Sequence, residues 1–255
     1  MAESLDTGSR PTGPLAQPGL NQLERVVDTF VAPEKTFLDI RRNASWWAPF
    51  LLGTLITLLF TFYVDRQIGF EKVAEANISR SPQAQERLNA LTEAQRSQTM
   101  RTIAATTKAF SYAYPVTSLI FGVVIAVILL VSFNFGLGAT ASYACYLAVW
   151  FYASLPLVLK YMLAVIAISA GASSERFELQ NPIGTNIGWY LSSDVPLWMR
   201  TLLSSFDLFT IWTIVLLIIG CAAVAGVKRT SAAIVVVAWW IMTIIAFTAA
   251  AGMQS

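Results

Sequence analysis

Apolar residues are gathered into five blocks along the chain, and polar residues fill the stretches between them. Each block reaches at least about the 20 residues that a helix needs to cross the hydrocarbon core of a bilayer. A helix also satisfies its backbone hydrogen bonds internally, as a lipid environment requires. The pattern therefore predicts an all-α, polytopic transmembrane helical bundle of five spans, at about residues 46–64, 114–135, 142–170, 208–227 and 232–250.

Two regions precede this membrane domain of residues 46–250. Residues 1–22 are rich in Gly, Pro, Ser and Thr, which predicts a disordered tail. Residues 23–45 carry apolar side chains at helical spacing, and Pro33 divides them into two short amphipathic helices. Four basic residues surround the apolar stripe: Arg25, Lys35, Arg41 and Arg42. Such helices either lie at the membrane surface or pack as cytosolic helices on the rest of the protein.

Two polar connections join the spans. In residues 65–111, Ser81-Pro82 has the form of an N-cap followed by proline at the first helical position, and Thr92-Glu93-Ala94-Gln95 has that of a capping box. Paired helices are therefore predicted there. Residues 171–206 are rich in turn formers. The third block exceeds what a bilayer needs, which predicts tilt, a kink at Pro156, or projection beyond the lipid.

Composition narrows the chemistry that this chain can carry. Only 13% of its residues are charged, the formal net charge is +2, and the basic residues are scattered, so nucleic acid is not expected as a partner. There is no histidine, and the two cysteines lack metal-site spacing. These absences argue against His-based catalysis and most metal sites, so no enzyme activity, cofactor or metal is predicted.

Charges and aromatic residues at the span ends predict the orientation. Arg41 and Arg42 precede the first span, and Lys228 and Arg229 lie between the fourth and fifth. With five spans these two basic pairs fall on the same side, and the positive-inside rule places that side in the cytoplasm. Trp46 and Trp47 begin the first span, as interface anchors do, and Lys228 and Arg229 occupy the tightest loop. The N-terminus is therefore predicted to be cytoplasmic and the C-terminus outside, although the basic residues of 65–111 count against this orientation.

Lys160 is an ionisable residue within a predicted span. Such groups are costly to bury in a membrane helix, so their presence indicates a functional site by default. Lys160 lies roughly 27 Å along its helix from Ser142, near the outer face. It is expected either to snorkel to that interface or to pair with Asp207, which begins the fourth span. Asn134, near the end of the second span, is predicted to cap a neighbouring helix or to bind a backbone carbonyl.

Small residues within the spans mark faces where helices can approach closely. Gly122 and Ala126 form such a pair on the second span. On the fourth span the candidates for helix packing are Gly220, Ala222 and Gly226.

Three regions of the chain have a distinctive residue order: Val31-Ala32-Pro33-Glu34-Lys35-Thr36-Phe37 with Asn43-Ala44-Ser45-Trp46-Trp47-Ala48-Pro49; Leu179-Gln180-Asn181-Pro182-Ile183-Gly184-Thr185-Asn186; and Asp207-Leu208-Phe209-Thr210-Ile211-Trp212-Thr213-Ile214-Val215-Leu216 with Gly220 and Gly226-Val227-Lys228-Arg229. Together they resemble the bacterial branch of the Yip domain family of integral membrane proteins, over roughly residues 23–250. The resemblance implies a five-span membrane domain with a cytosolic N-terminus, in a bacterial inner membrane. Eukaryotic relatives bind Rab-type small GTPases and one another; the long outward connection and the bacterial character of these motifs argue against a small GTPase partner here.

Two functions remain in competition at this level. The first is a non-enzymatic membrane-organising or partner-binding scaffold, whose partners are the lipid bilayer and either a second copy or other membrane proteins. The alternative is a small transporter or channel that uses Lys160 and Asp207, although a pore usually has a more polar lining than these spans offer.

Overall fold

The computed structural model describes residues 19–171, 177–192 and 195–253, and these residues form helices joined by turns. In chain order the helices are α1 (Gln22–Val31), α2 (Pro33–Arg42), α3 (Trp47–Tyr63), α4 (Phe70–Ser79), α5 (Pro82–Asn89), α6 (Glu93–Tyr112), α7 (Tyr114–Leu130), α8 (Tyr143–Ala153), α9 (Leu155–Ser169), α10 (Leu197–Ser204), α11 (Leu208–Ala225) and α12 (Arg229–Gly252). The predicted disordered tail of residues 1–22 lies outside the described residues, apart from residues 19–22; of these, Asn21 is the N-cap of α1 and Gln22 its first residue, so the predicted tail extends too far.

Five helices in the described part of the chain are long and apolar enough to cross a membrane, which confirms the predicted fold class. They are Trp47–Ile68, Tyr114–Phe135, Tyr143–Ser169, Leu208–Ala225 and Arg229–Gly252. The first and second end in π-helical turns, Val64–Ile68 and Val131–Phe135. The third is interrupted at Ser154, and Pro156 lies in the first turn of α9, where a missing amide hydrogen is tolerated.

Helices α1 and α2 form a hairpin that packs on the bundle along α8 and α11. Phe37 and Ile40 of α2 are fully buried, and the Phe37 ring lies against Gly220 of α11. Arg25 was expected among the charged residues that surround the apolar stripe, but it is only 1% exposed. That expectation was wrong because Arg25 faces α2, where a carboxylate neutralises it.

Two clusters of buried apolar residues hold the bundle together. The larger one joins α2, α7, α8 and α11 with the beginning of α12. The smaller one joins the end of α3 to α4, α6 and α9. Because lipid tails are as apolar as these side chains, close packing rather than expulsion of water stabilises the contacts inside the bilayer. The clusters therefore fix which spans are neighbours.

The first polar connection is helical, as predicted. Ser81 Oγ accepts from the amide of Ala84 at the start of α5, and Thr92 and Gln95 form the predicted capping box at the start of α6. Helix α4 packs on α6, so the connection folds back as paired helices.

Helix α12 is the least buried of the five spans, with 11% of its apolar window covered by the rest of the described protein. It contacts α11 along one side and α10 near its C-terminal end. Large apolar side chains cover its remaining surface, among them Ile234, Ile241, Met242, Ile245 and Phe247. This span therefore presents the widest uncovered apolar surface of the bundle.

Candidate functional site

Lys160 and Asp207 meet between the third and fourth spans. Lys160 Nζ of α9 lies 3.0 Å from Oδ2 of Asp207, the residue that precedes α11. The two residues are 8% and 2% exposed. The lysine side chain therefore ends on a carboxylate, and of the two alternatives considered for Lys160 the structure shows the pair with Asp207.

Asp207 is also the N-cap of α11. Its Oδ1 accepts from the backbone amides of Phe209 and Thr210, at 3.0 and 3.3 Å. These bonds satisfy amides that the first turn of a helix cannot pair internally. The negative charge of the carboxylate is also stabilised by the positive end of the helix dipole. One carboxylate thus begins the span and neutralises Lys160.

A loop beyond the third span closes over this ion pair. The Thr185 hydroxyl and Asn186 Nδ2 both donate to Asp207 Oδ2, the latter at 3.3 Å. Burial tends to raise the pKa of Asp207, but the hydrogen bond from Thr185 and the charge and hydrogen bond of Lys160 outweigh it. The pKa of Asp207 is therefore lowered, and the carboxylate is charged at neutral pH.

The loop is fixed by its own side chains. Asn181 and Asn186 exchange amide hydrogen bonds of 3.3 and 2.7 Å, and Asn186 Oδ1 also accepts from the backbone amide of Trp189. Sequence reasoning treated this segment as a set of turn formers and missed Thr185 and Asn186 as partners of the ion pair. Their polar side chains next to Pro182 and Gly184 were the available signal.

A cavity of about 670 Å³ lies beside the ion pair. On its wall, Arg80 Nε lies 3.2 Å from Glu178 Oε1, and Arg200 Nη1 lies 4.0 Å from the same oxygen. Burial lowers the pKa of Arg80; Glu178 opposes this effect and Arg200 adds to it. Leu197 and Phe247 provide apolar surface in the same cavity. The cavity therefore has charged groups on one part of its wall and apolar side chains of α10 and α12 on another.

A second buried ion pair lies in the N-terminal hairpin. Arg25 Nε donates to Asp39 Oδ2 at 2.7 Å, and the hydroxyls of Thr29 and Thr36 donate to the Arg25 carbonyl. Tyr152 of α8 donates to Gln22 Oε1 beside it, at 2.8 Å. Sequence reasoning missed this pair because its members belong to different helices and each resembles a residue on a polar face.

Asn134 closes the turn between the second and third spans. Its Nδ2 donates to the Ala141 carbonyl at 2.8 Å, and its Oδ1 accepts from the Tyr146 hydroxyl at 2.9 Å. Asn134 thus binds a backbone carbonyl, one of the two roles considered for it. It lies in a separate part of the structure from the Lys160–Asp207 pair, and its contacts link α7 to α8.

The small residues lie at contacts between helices, with one exception. A Cβ at Gly122 would lie 2.8 Å from Phe151 Cζ, and one at Gly220 would lie 2.7 Å from Val149 Cγ1. Ala126 and Ala222 are buried. Gly226 instead ends α11 with φ of 67°, the left-handed conformation that glycine adopts most easily.

The residues considered as interface anchors differ in their surroundings. Trp47 is 53% exposed, whereas Trp46 stacks on Phe151 at 5.5 Å between ring centroids. Lys228 is exposed. Arg229 Nη2 lies 2.7 Å from Glu34 Oε2, which joins the start of α12 to α2.

The arrangement of ionisable groups favours a structural role. Both buried cations described above lie within hydrogen-bond distance of carboxylates. Among the described residues, no group of three or more His, Cys, Asp or Glu side chains is arranged to hold a metal ion.

Comparison with known proteins identifies one family. The family model for the Yip1 domain matches residues 27–250. Neither the comparison with curated proteins nor that with solved structures returned a match.

Proposed function

This chain belongs to the Yip1 domain family and is a multi-pass membrane protein, and we propose that it acts as a non-enzymatic scaffold that organises partner proteins within the bilayer. It would do so through the part of its apolar surface that its own helices leave uncovered. The partners are transmembrane helices, either of a second copy or of other membrane proteins.

The exposed surface of α12 is the observation that carries this proposal. A helix that needs only to cross the bilayer can face lipid, but α12 is also packed on α11 along one side and on α10 near its C-terminal end. This arrangement holds an apolar helix at a fixed place on the bundle surface. The exposed face of α12 also carries Ala238, Ala246 and Ala249, small residues of the kind that let membrane helices approach closely.

The buried ion pairs support the non-enzymatic part of the proposal. Lys160 contacts Asp207, and the same carboxylate accepts hydrogen bonds from the Thr185 hydroxyl and from the first turn of α11. Arg25 contacts Asp39 in the hairpin. General acid–base catalysis needs a group that can exchange its proton with a substrate, whereas these carboxylates are engaged in holding helices together.

Photocrosslinking in native membranes tests the scaffold role. A photoreactive amino acid would replace Ile245 on α12, which is 62% exposed, or Ile120 on α7, which is 59% exposed and serves as the matched control. We expect position 245 to crosslink to protein, identified by mass spectrometry, and position 120 to react mainly with lipid. Crosslinking at position 245 to lipid alone would contradict the proposal.

We also propose that the chain lies in a bacterial inner membrane with its N-terminus in the cytoplasm and its C-terminus outside. The basic residues next to the first span and in the loop before α12 support this orientation. Reporter fusions at both ends test it. Cytoplasmic activity at the N-terminus and periplasmic activity at the C-terminus are expected, and ends on the same side would contradict five crossings.

A transporter or channel is the second candidate function. The cavity of about 670 Å³ beside Lys160 and Asp207 favours it, because polar groups in a membrane cavity are typical of ion pathways. Ion flux into liposomes that carry the purified protein is the test. Flux that is lost in Lys160→Met would favour this function, and its absence in the wild-type protein would exclude an ion pathway through the pair under those conditions.

A further inference from the structure

A second cavity, of about 320 Å³, lies where the first three spans meet. Its walls come from the first half of α3, the first half of α7, and the segment of α8 and α9 around the break at Ser154. Phe121 and Tyr114 on its α7 side are 54% and 40% exposed, so the cavity opens to the lipid-facing surface of the bundle. We call it the aromatic cleft. It does not include the Lys160–Asp207 pair.

The walls of the aromatic cleft are mostly apolar, and rings form much of them. Phe50, Phe121, Trp150, Phe151, Tyr114 and Tyr161 line it. Pockets of roughly 300–1,000 Å³ with apolar and aromatic walls and a few polar groups are typical of sites for small molecules. Among the described residues that line it there is no Asp, Glu, Lys or Arg, so the cleft suits an uncharged molecule.

Most serine and threonine hydroxyls in the aromatic cleft are already bonded within their own helices. Thr57 donates to the Gly53 carbonyl at 2.7 Å, Ser118 to the Pro115 carbonyl at 3.0 Å, and Ser154 to the Trp150 carbonyl at 2.8 Å. These groups are therefore satisfied without a ligand.

The phenol hydroxyls of Tyr114 and Tyr161 differ from them. Neither makes a hydrogen bond to another residue in the described part of the chain, and on the same walls the buried hydroxyl of Thr54 also has no partner there. A hydroxyl without a partner is costly in an apolar medium, and a ligand oxygen in the cleft would accept from it. A carbonyl group combines that acceptor with an uncharged body, which matches the apolar walls.

We propose that the aromatic cleft binds an uncharged, lipid-soluble molecule that is mainly hydrocarbon and carries a carbonyl oxygen. Its body packs between the rings of α3, α7 and α8, and the carbonyl accepts a hydrogen bond from Tyr161 or Tyr114. The molecule enters from the bilayer, past Phe121. This site is independent of the scaffold surface on α12.

Photolabelling of the purified full-length chain in lipid nanodiscs with benzophenone tests the proposal. Benzophenone is an uncharged aromatic ketone that reacts with nearby C–H bonds on illumination, and mass spectrometry locates the adducts. Diphenylmethane has the same rings without the carbonyl and serves as a competitor. We expect saturable labelling of peptides from α3, α7, α8 and α9, and diphenylmethane should reduce this labelling only at concentrations above the half-saturating concentration of benzophenone.

Two variants separate carbonyl recognition from simple filling of the cleft. Tyr161→Phe removes only a hydroxyl, and the half-saturating benzophenone concentration should rise about fivefold, the usual value of one neutral hydrogen bond. Diphenylmethane should compete equally well in this variant and in the wild type. Tyr63→Phe is the matched control, because Tyr63 lies on α3 away from the cleft lining and should change nothing. Ser118→Leu fills the cleft and should abolish saturable labelling.

Two results would overturn the proposal. Labelling that rises in proportion to benzophenone concentration, and spreads equally over the exposed face of α12, would show that there is no site. Saturable labelling that is unchanged by both Tyr161→Phe and Tyr114→Phe would show that no carbonyl is recognised there.

Discussion

Arg25 and Asp39 form an ion pair inside the N-terminal hairpin, with Arg25 Nε 2.7 Å from Asp39 Oδ2 and side chains that are 1% and 9% exposed. The pair joins α1 to α2, and α2 packs along α11. The charged contact therefore fixes the two helices of the hairpin to each other, and the apolar face of α2 packs the hairpin on the bundle. A polar pair in this position holds two short helices together where the chain turns at Ala32 and Pro33.

Removing one partner of this pair should strongly destabilise the protein. Asp39→Ala leaves the Arg25 guanidinium buried without its carboxylate, and a loss of about 3–5 kcal/mol in the free energy of unfolding is expected. The double variant Arg25→Met with Asp39→Leu should recover most of it. The free energy of unfolding of the single and the double variant is measured in mixed micelles. Glu34→Gln, which breaks an exposed ion pair with Arg229, is the control and should cost at most about 1 kcal/mol.

Lys160 and Asp207 should be coupled energetically. In a double-mutant cycle of Lys160→Met and Asp207→Asn, an interaction energy of about 1–3 kcal/mol is expected, because the two side chains are in direct contact. Asparagine is chosen because it can still cap α11. Strictly additive changes in the free energy of unfolding would contradict the direct pairing.

Acid should weaken the protein through Asp207. Burial favours its neutral form, but the hydrogen bond from Thr185 and the charge of Lys160 prevail, so its pKa lies below the ordinary 3.8. Because the pKa of Asp207 is lower in the folded protein than in the unfolded chain, its charged form stabilises the fold. This stabilisation is complete when the pH is above the pKa of the unfolded chain, and it is lost as the pH falls through the pKa of the folded protein.

The measurement is the difference in free energy of unfolding between the wild type and Asp207→Asn. This difference should stay constant from neutral pH to just above 3.8 and shrink below that value. Other carboxylates titrate in both proteins and largely cancel. A difference that grows on acidification would contradict the lowered pKa.

The spans were predictable because bilayer thickness sets the length of an apolar helix and the chain carries few charges within those lengths. The Lys160–Asp207 pair was predictable as one of two alternatives, since both residues were expected near the same membrane face. The choice between pairing and snorkelling depends on a rotamer and a loop, and the loop residues Thr185 and Asn186 are 22 and 21 positions from Asp207. Helical periodicity carries no information about such contacts.

The position of Arg25 was not predictable from its own helix. An amphipathic pattern assigns every arginine to the polar face, and the carboxylate that allows burial is 14 residues away on α2. The pattern also could not show that α2 packs beside α11, because that contact depends on the absence of a side chain at Gly220. Tertiary packing, rather than local propensity, placed the hairpin.

Gly220 should tolerate even a methyl group poorly, because α2, α8 and α11 meet there. A Cβ at this position would lie 2.7 Å from Val149 Cγ1 and 2.9 Å from Phe37 Cε1, closer than real contacts allow. Gly220→Ala should therefore lower the free energy of unfolding by about 1–3 kcal/mol, the usual cost of overpacking. The matched control is Gly53→Ala, whose Cβ would meet Val158 Cγ2 at an ordinary 3.5 Å.

The cause of the loss at Gly220 can be separated from any change in helix propensity. Alanine favours a helix over glycine by about 1 kcal/mol, so the control variant should be neutral or slightly more stable than the wild type. Combining Gly220→Ala with Val149→Ala removes the nearest clashing atom and should restore part of the lost stability. Equal stability of the two single glycine variants would mean that the three helices do not need a bare backbone at their contact.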